Sequence, residues 1–151
     1  MVLEAISSSK HFVLFMSWHP NDLGSAGQMM HLARSDYCDN VLLEILVAFC
    51  LMKEKRIQSF TPIFTGGVTN DMYESFPFAK VGDLPDIVSQ KTLDVVEEAV
   101  QKLGLGVPPD VKCLSVRAAI QIILTYQGIK LADLGKVLIA QEAAARKLLD
   151  L

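Results

Sequence analysis

His11-Phe12-Val13-Leu14-Phe15-Met16-Ser17 is an unbroken apolar run bounded by the polar residues Ser7-Ser8-Ser9-Lys10 on one side and Ser17 on the other. Apolar residues at consecutive rather than alternate positions are the mark of a strand covered on both faces. The run therefore predicts an interior strand of a parallel sheet. Working outward, residues 4–9 read as the end of a helix running into a serine-rich turn. Residues 18–27 hold His19-Pro20-Asn21-Asp22 and two glycines, which reads as a loop. From 39 to 55 the pattern is helical, with Asp39 or Asn40 able to cap and basic residues gathered at the far end. A second apolar, β-branched stretch over 57–64 is closed by Gly66-Gly67 and predicts another strand.

The rest of the chain reads as helical. A Gly-, Pro- and Phe-rich loop is expected to about Pro85. Leu93, Val96, Val100 and Leu103 then recur at helical spacing, with Gly104 placed to cap that helix. Ser115 can cap a helix carrying Val116, Ala119, Ile120, Ile123 and Leu124, which Gly128 stops. A last helix is predicted over about 131–149, with Glu142 and Arg146 paired one turn apart. Strands separated by a helix imply a parallel crossover and an α/β layer architecture. Two strands alone leave long edges unpaired, so the N-terminal part of the sheet is expected to be missing from this sequence.

Composition bounds the function classes. The chain has 151 residues, 51% of them hydrophobic and 21% charged, with a net charge of −3. That length can bury roughly 70% of the surface of the unfolded chain, and the apolar content excludes a disordered linker. Mild acidity without a basic block argues against a nucleic-acid partner. The longest apolar run, 41–52, is broken by Glu44 and is shorter than the ~20 residues that span a bilayer. No basic segment precedes an apolar one at the N-terminus. A cytoplasmic protein without a membrane partner is the expectation. Cys38, Cys50 and Cys113 are an odd number at wide spacing, and His11, His19 and His31 share no ligand spacing with them. No disulfide framework and no metal site are expected. Cys50 reads as a core residue. Cys38 precedes a helix, but no residue beside it looks like a base.

Glu44 is the informative residue. It is the only polar side chain in Val-Leu-Leu-Glu-Ile-Leu-Val-Ala-Phe-Cys-Leu-Met over 41–52. On a helix, Asn40 and Ala48 lie one turn to either side, which makes a narrow stripe that is polar, acidic and small. A carboxylate on an otherwise apolar helix must find a partner, reach a cleft or become protonated. Such settings suit general acids, general bases and sugar-binding carboxylates. The alternative is a helix-edge Glu44 that reaches water or a Lys or Arg. Trp18-His19-Pro20 follows the first predicted strand, and ligands in open α/β sheets favour the carboxyl ends of strands. Trp18 could stack on a base or ring, or serve as a core or rim residue. His19 would make an attractive pair with Glu44. Gly66-Gly67 reads as a turn, because no phosphate-binding glycine pattern follows.

Leu3-Glu4-Ala5-Ile6-Ser7-Ser8-Ser9 followed by the run 10–17 resembles the second helix and third strand of a TIR (Toll/interleukin-1 receptor homology) domain. Ser35-Asp36-Tyr37-Cys38-Asp39-Asn40-Val41-Leu42-Leu43-Glu44-Ile45 resembles the next helix, where the family often reads Ser-x-Trp-Cys-x-x-Glu-Leu. Asn40-Val41 stand in the register of the family's Trp-Cys, and Cys38 matches with a short insertion. Ile57-Gln58-Ser59-Phe60-Thr61-Pro62-Ile63-Phe64 is similar to the following strand. The resemblance covers about residues 3–67, and more loosely the helix ending near Leu103. It implies a flavodoxin-like parallel sheet that is incomplete. The partial α/β domain spans 1–104, followed by a C-terminal helical extension over 105–151. The family's first strand, first helix, second strand and following loop are not represented, and those parts supply much of its nucleotide pocket.

In NAD-cleaving members of the family the glutamate of this helix is catalytic. The resemblance therefore implies Glu44 as the catalytic carboxylate, and Trp18 and His19 after the strand, with Asn40 on the Glu44 stripe, are the candidate residues to line the nucleotide. NAD+ would be a substrate rather than a resident cofactor, and partners would be other TIR domains or a second copy. Three readings follow: a TIR-type signalling domain of NAD+ hydrolase ancestry, a non-catalytic module that self-associates through its helices, and a small α/β protein unrelated to TIR domains.

Overall fold

A computed structural model describes residues 2–17, 39–65, 67–69, 72–74, 78–126 and 129–130. The described elements are helix α1 (Val2–Ser8), strand β1 (His11–Ser17), helix α2 (Asn40–Lys53), strand β2 (Ser59–Thr65), strands β3 (Gly67–Thr69) and β4 (Met72–Glu74), and a 3-10 turn (Phe78–Asp83). Helices α3 (Gln90–Gln101), α4 (Pro109–Lys112) and α5 (Val116–Thr125) follow, then strand β5 (Ile129–Lys130). The molecule is a mixed α/β domain built on a parallel sheet of order β1-β2-β5.

Local chemistry sets the helix boundaries. Asp39 caps α2, its Oδ1 accepting from the backbone N–H groups of Val41 at 2.8 Å and Leu42 at 3.1 Å. The helix ends where Lys55 adopts the left-handed conformation (φ 55°). The N–H groups of Arg56 and Ile57 then both turn back to the carbonyl of Leu51. Ser89 and Ser115 cap α3 and α5 through hydrogen bonds accepted from Thr92 N–H at 3.2 Å and Ala118 N–H at 3.0 Å. Gly104 closes α3 at φ 72°, a conformation open to glycine at no steric cost. The caps expected at Asp39, Gly104 and Ser115 are therefore borne out.

Helix α2 is the centre of the fold. Leu42 and every residue from Ile45 to Leu51 are buried, so most of its circumference faces protein. A helix apolar nearly all round needs neighbours all round, and α1, α3, α4 and α5 each pack against it. Cys50 lies within this packing, where burial pushes its thiol up to about 11. That agrees with the core role expected for it. Residues after Gly104 belong to the same core: Val111, Val116, Ala119, Ile120 and Ile123 are buried in one cluster with α2 and α3. The chain then returns to the sheet, where β5 pairs with β2 in the register Ile63↔Ile129 and Phe64↔Lys130.

Strands β1 and β2 pair along their whole length, from His11↔Ser59 to Ser17↔Thr65. The pairing is seeded by the Lys10 carbonyl, which accepts from Gln58 N–H at 2.7 Å and Ser59 N–H at 3.3 Å. Pro62, which has no N–H to donate, sits one residue ahead of the β5 ladder. On one face Phe60 is the hub, with ring centroids 5.3 Å from Phe12, 5.9 Å from Phe49 of α2 and 5.1 Å from Tyr126 after α5. Phe12, Leu14 and Met16 are buried on this face.

Three expectations are corrected. Strand β1 is not covered on both faces, since Val13 is 50% and Phe15 57% exposed. It is not an interior strand among the described residues either, because β2 is its one partner there. The physical reason is that α2 and the end of α5 reach the strands through the Phe12/Phe60 face. The loop expected between 68 and 85 contains the antiparallel β3–β4 pair, with Gly67 opposite Glu74, and the 3-10 turn. The sheet gains a third strand at Ile129–Lys130, too short to produce a periodic signal. The helix expected over 131–149 and the loop over 18–27 lie outside the described residues.

Candidate functional site

Because β1 and β2 are parallel, the intervening helix α2 must run back against them, and its N-terminus stands at the carboxyl edge of the sheet. That edge is where open α/β sheets place their ligands. Asp39 caps that end of α2, and Asn40 and Glu44 lie in its first turns. The predicted stripe of Asn40, Glu44 and Ala48 forms a gradient of depth: Asn40 is exposed, Glu44 half-buried and Ala48 fully buried. The stripe thus runs from solvent into the core along one side of the helix.

Burial raises the Glu44 carboxyl above its ordinary range, and the neighbouring Asp39 carboxylate raises it further. Four described cations form ion pairs, Lys53 with Asp110, Lys102 with Glu98, Lys112 with Glu97 and Arg117 with Asp86, and none of these pairs includes Glu44. Of the helix-edge alternative, in which Glu44 reaches water or a Lys or Arg, the described residues supply no Lys or Arg partner, and partial exposure keeps the carboxyl in reach of water. Asp39 is the residue whose second role the sequence reading missed. It was read as a cap, yet it also places a second carboxylate beside Glu44. Its signal was present, as a cap five residues ahead of Glu44 lies little more than one turn away. Trp18 and His19, the other candidate ligand-lining residues, lie outside the described residues, as does Cys38.

A concavity lies at the other end of α2. It is a cavity of about 270 Å³ between α2, α4 and α5, lined mainly by Phe49, Met52, Val111, Leu114, Ile122 and Tyr126. Lys53 and Asp110 close its rim with an ion pair at 2.5 Å. The pair raises the Lys53 ammonium and holds the Asp110 carboxyl below its ordinary range. Tyr126 Oη has the Met52 sulfur as its described neighbour, at 3.9 Å. This end is apolar with its charges matched, whereas Glu44 at the other end has no ion-pair partner among the described residues. The cavity was hidden from the sequence because its walls come from segments separated by more than seventy residues, as Met52 and Tyr126 are.

Among the described residues no group of three His, Cys, Asp or Glu could hold a metal ion, and no helix is long and apolar enough to cross a membrane. No protein-family model matches the chain, nor does any curated protein or solved structure.

Proposed function

We propose that the chain is a TIR-type signalling domain of flavodoxin-like ancestry, derived from a NAD+ hydrolase, with Glu44 as its key carboxylate. The observation that carries this reading is a half-buried glutamate, without a cation partner among the described residues, near the N-terminus of the helix that links two parallel strands. The adjacent parallel order β1-β2-β5, with a helix between β1 and β2, supports the flavodoxin-like part. In the reaction, the bond between the ribose C1′ and the nicotinamide nitrogen breaks, and its electron pair leaves with nicotinamide. The positive charge that develops on the ribose is stabilised by a carboxylate close to the anomeric carbon. Water then adds at C1′, and a carboxylate with a raised pKa is the better acceptor for the proton it loses. In this reading Asn40, exposed one turn ahead of Glu44, is the hydrogen-bond partner of the ribose, and Trp18 and His19, outside the described residues, are the further candidate nucleotide contacts.

The test is nicotinamide release from NAD+ by the purified chain. Release is expected from the wild type, with loss of at least about a hundredfold in Glu44→Gln. Activity is expected to fall on the acid side, as Glu44 takes up its proton at a pH above the ordinary carboxylate range. Absence of release, or equal release from Glu44→Gln, would overturn the catalytic reading. A second reading, a non-catalytic self-associating module, keeps the fold and drops the chemistry. The half-exposed apolar pair Val13 and Phe15 favours it.

A further inference from the structure

The cavity of about 270 Å³ at the C-terminal end of α2 has no part in the Glu44 chemistry. An apolar cavity of about 150 Å³ holds one benzene molecule, and pockets for drug-sized ligands begin near ~300 Å³. The space between α2, α4 and α5 therefore suits a single ring with a short substituent. Water is a poor occupant, because a buried water needs several polar partners. The walls supplied by Phe49, Met52, Val111, Leu114 and Ile122 carry no side-chain N–H or O–H.

Three of the lining residues favour an aromatic guest. Phe49 and Tyr126 present rings, and offset or edge-to-face aromatic pairs gain more than the area they bury. The Met52 thioether adds a favourable sulfur–aromatic contact. Phe60 braces both rings from the sheet, with its centroid 5.9 Å from Phe49 and 5.1 Å from Tyr126. Polarity narrows the guest further. The Tyr126 hydroxyl donates to the Met52 sulfur at 3.9 Å, a weak acceptor, and has no other hydrogen-bond partner among the described residues. A carbonyl oxygen inside the cavity replaces that sulfur with a stronger acceptor. At the rim Lys53 and Asp110 already neutralise each other, so an anion meets Asp110 and a cation meets Lys53. A neutral molecule meets neither penalty.

We propose that this cavity binds a small neutral aromatic carbonyl compound, its ring among Phe49, Met52 and Tyr126 and its oxygen accepting from the Tyr126 hydroxyl. Loss of nicotinamide release leaves this site intact, and absence of binding here leaves the Glu44 reading intact. The test is an NMR titration of the full chain with two probes of one shape: acetophenone, and α-methylstyrene, in which a methylene group replaces the carbonyl oxygen. Both are expected to bind saturably, with amide shifts gathered over residues 109–126. Tyr126→Phe keeps the ring and removes the donor. It is expected to weaken acetophenone binding by about three- to tenfold, the equivalent of one neutral hydrogen bond, and to leave α-methylstyrene binding unchanged. Leu114→Trp fills the cavity and should abolish binding of both probes while the far-UV circular dichroism stays that of the wild type. Where that variant does not fold, Tyr126→Phe decides alone. Three results overturn the proposal: no saturable binding of either probe, as when another segment of the chain occupies the space; shifts gathered away from the cavity; or equal weakening of both probes by Tyr126→Phe.

Discussion

Along β1 the side chains alternate between two environments. Leu14 is 3% exposed and packs in the layer beneath α2; Phe15, the next residue, is 57% exposed. The two residue types are equally apolar, so composition does not separate them. What separates them is that Phe60, Phe49 and Tyr126 converge on one face of the sheet. On the inner face apolar side chains stabilise the fold of the single chain. On the outer face they add little to that fold, and their chemistry is free to serve an interaction.

The contrast can be broken most severely at the inner hub. Phe60→Ala removes the ring that touches Phe12, Phe49 and Tyr126, and should cost about 3–5 kcal/mol in denaturant unfolding. Leu14→Ala should cost about 2–5 kcal/mol, while Phe15→Ala, measured at a concentration where the chain is monomeric, should stay within about 0.5 kcal/mol. Comparable losses from Leu14→Ala and Phe15→Ala would show that the outer face is covered after all.

Smaller effects sharpen the picture at the carboxyl edge. Asp39→Ala leaves the N–H groups of Val41 and Leu42 without their acceptor, and should lower stability by about 1 kcal/mol. Glu44→Gln acts in the opposite direction. A carboxyl whose pKa is raised on folding is most compatible with the fold when protonated. Its contribution is fully present below the ordinary value of 4.5 and is lost as pH rises through the raised value. Gln stays neutral throughout, so the variant should match the wild type in acid and exceed it at neutral pH. Partial exposure of Glu44 keeps that gain within about 1 kcal/mol. Paired denaturant curves at the two pH values measure it, and a variant no more stable at neutral pH than in acid, relative to the wild type, would contradict the burial of Glu44.

Much of this was legible in the sequence where the cause is local. The Asp39 and Ser115 caps act on N–H groups two or three residues away. Gly104 answers a steric requirement of its own backbone. The isolation of Glu44 in an apolar helix was equally plain, although a partner, a cleft or a raised pKa were all open to it, and burial pushes its pKa up. The β3–β4 pair and β5, of three, three and two residues, were not legible. Segments that short carry no period, and they exist as strands only because a neighbour supplies hydrogen bonds. The proximity of Asp39 to Glu44 lay between these cases, visible from helical geometry once the cap was placed.

By itself, then, the sequence determined where β1, α2, β2, α3 and α5 form and which carboxylate stands apart, because caps, turns and apolar runs act over a few residues. The tertiary structure alone decided which side of β1 is interior. That choice depends on Phe60, which packs on Phe12, and on Phe49 and Tyr126, which pack on Phe60; all three lie more than thirty residues further along the chain, and no period within β1 records their arrival.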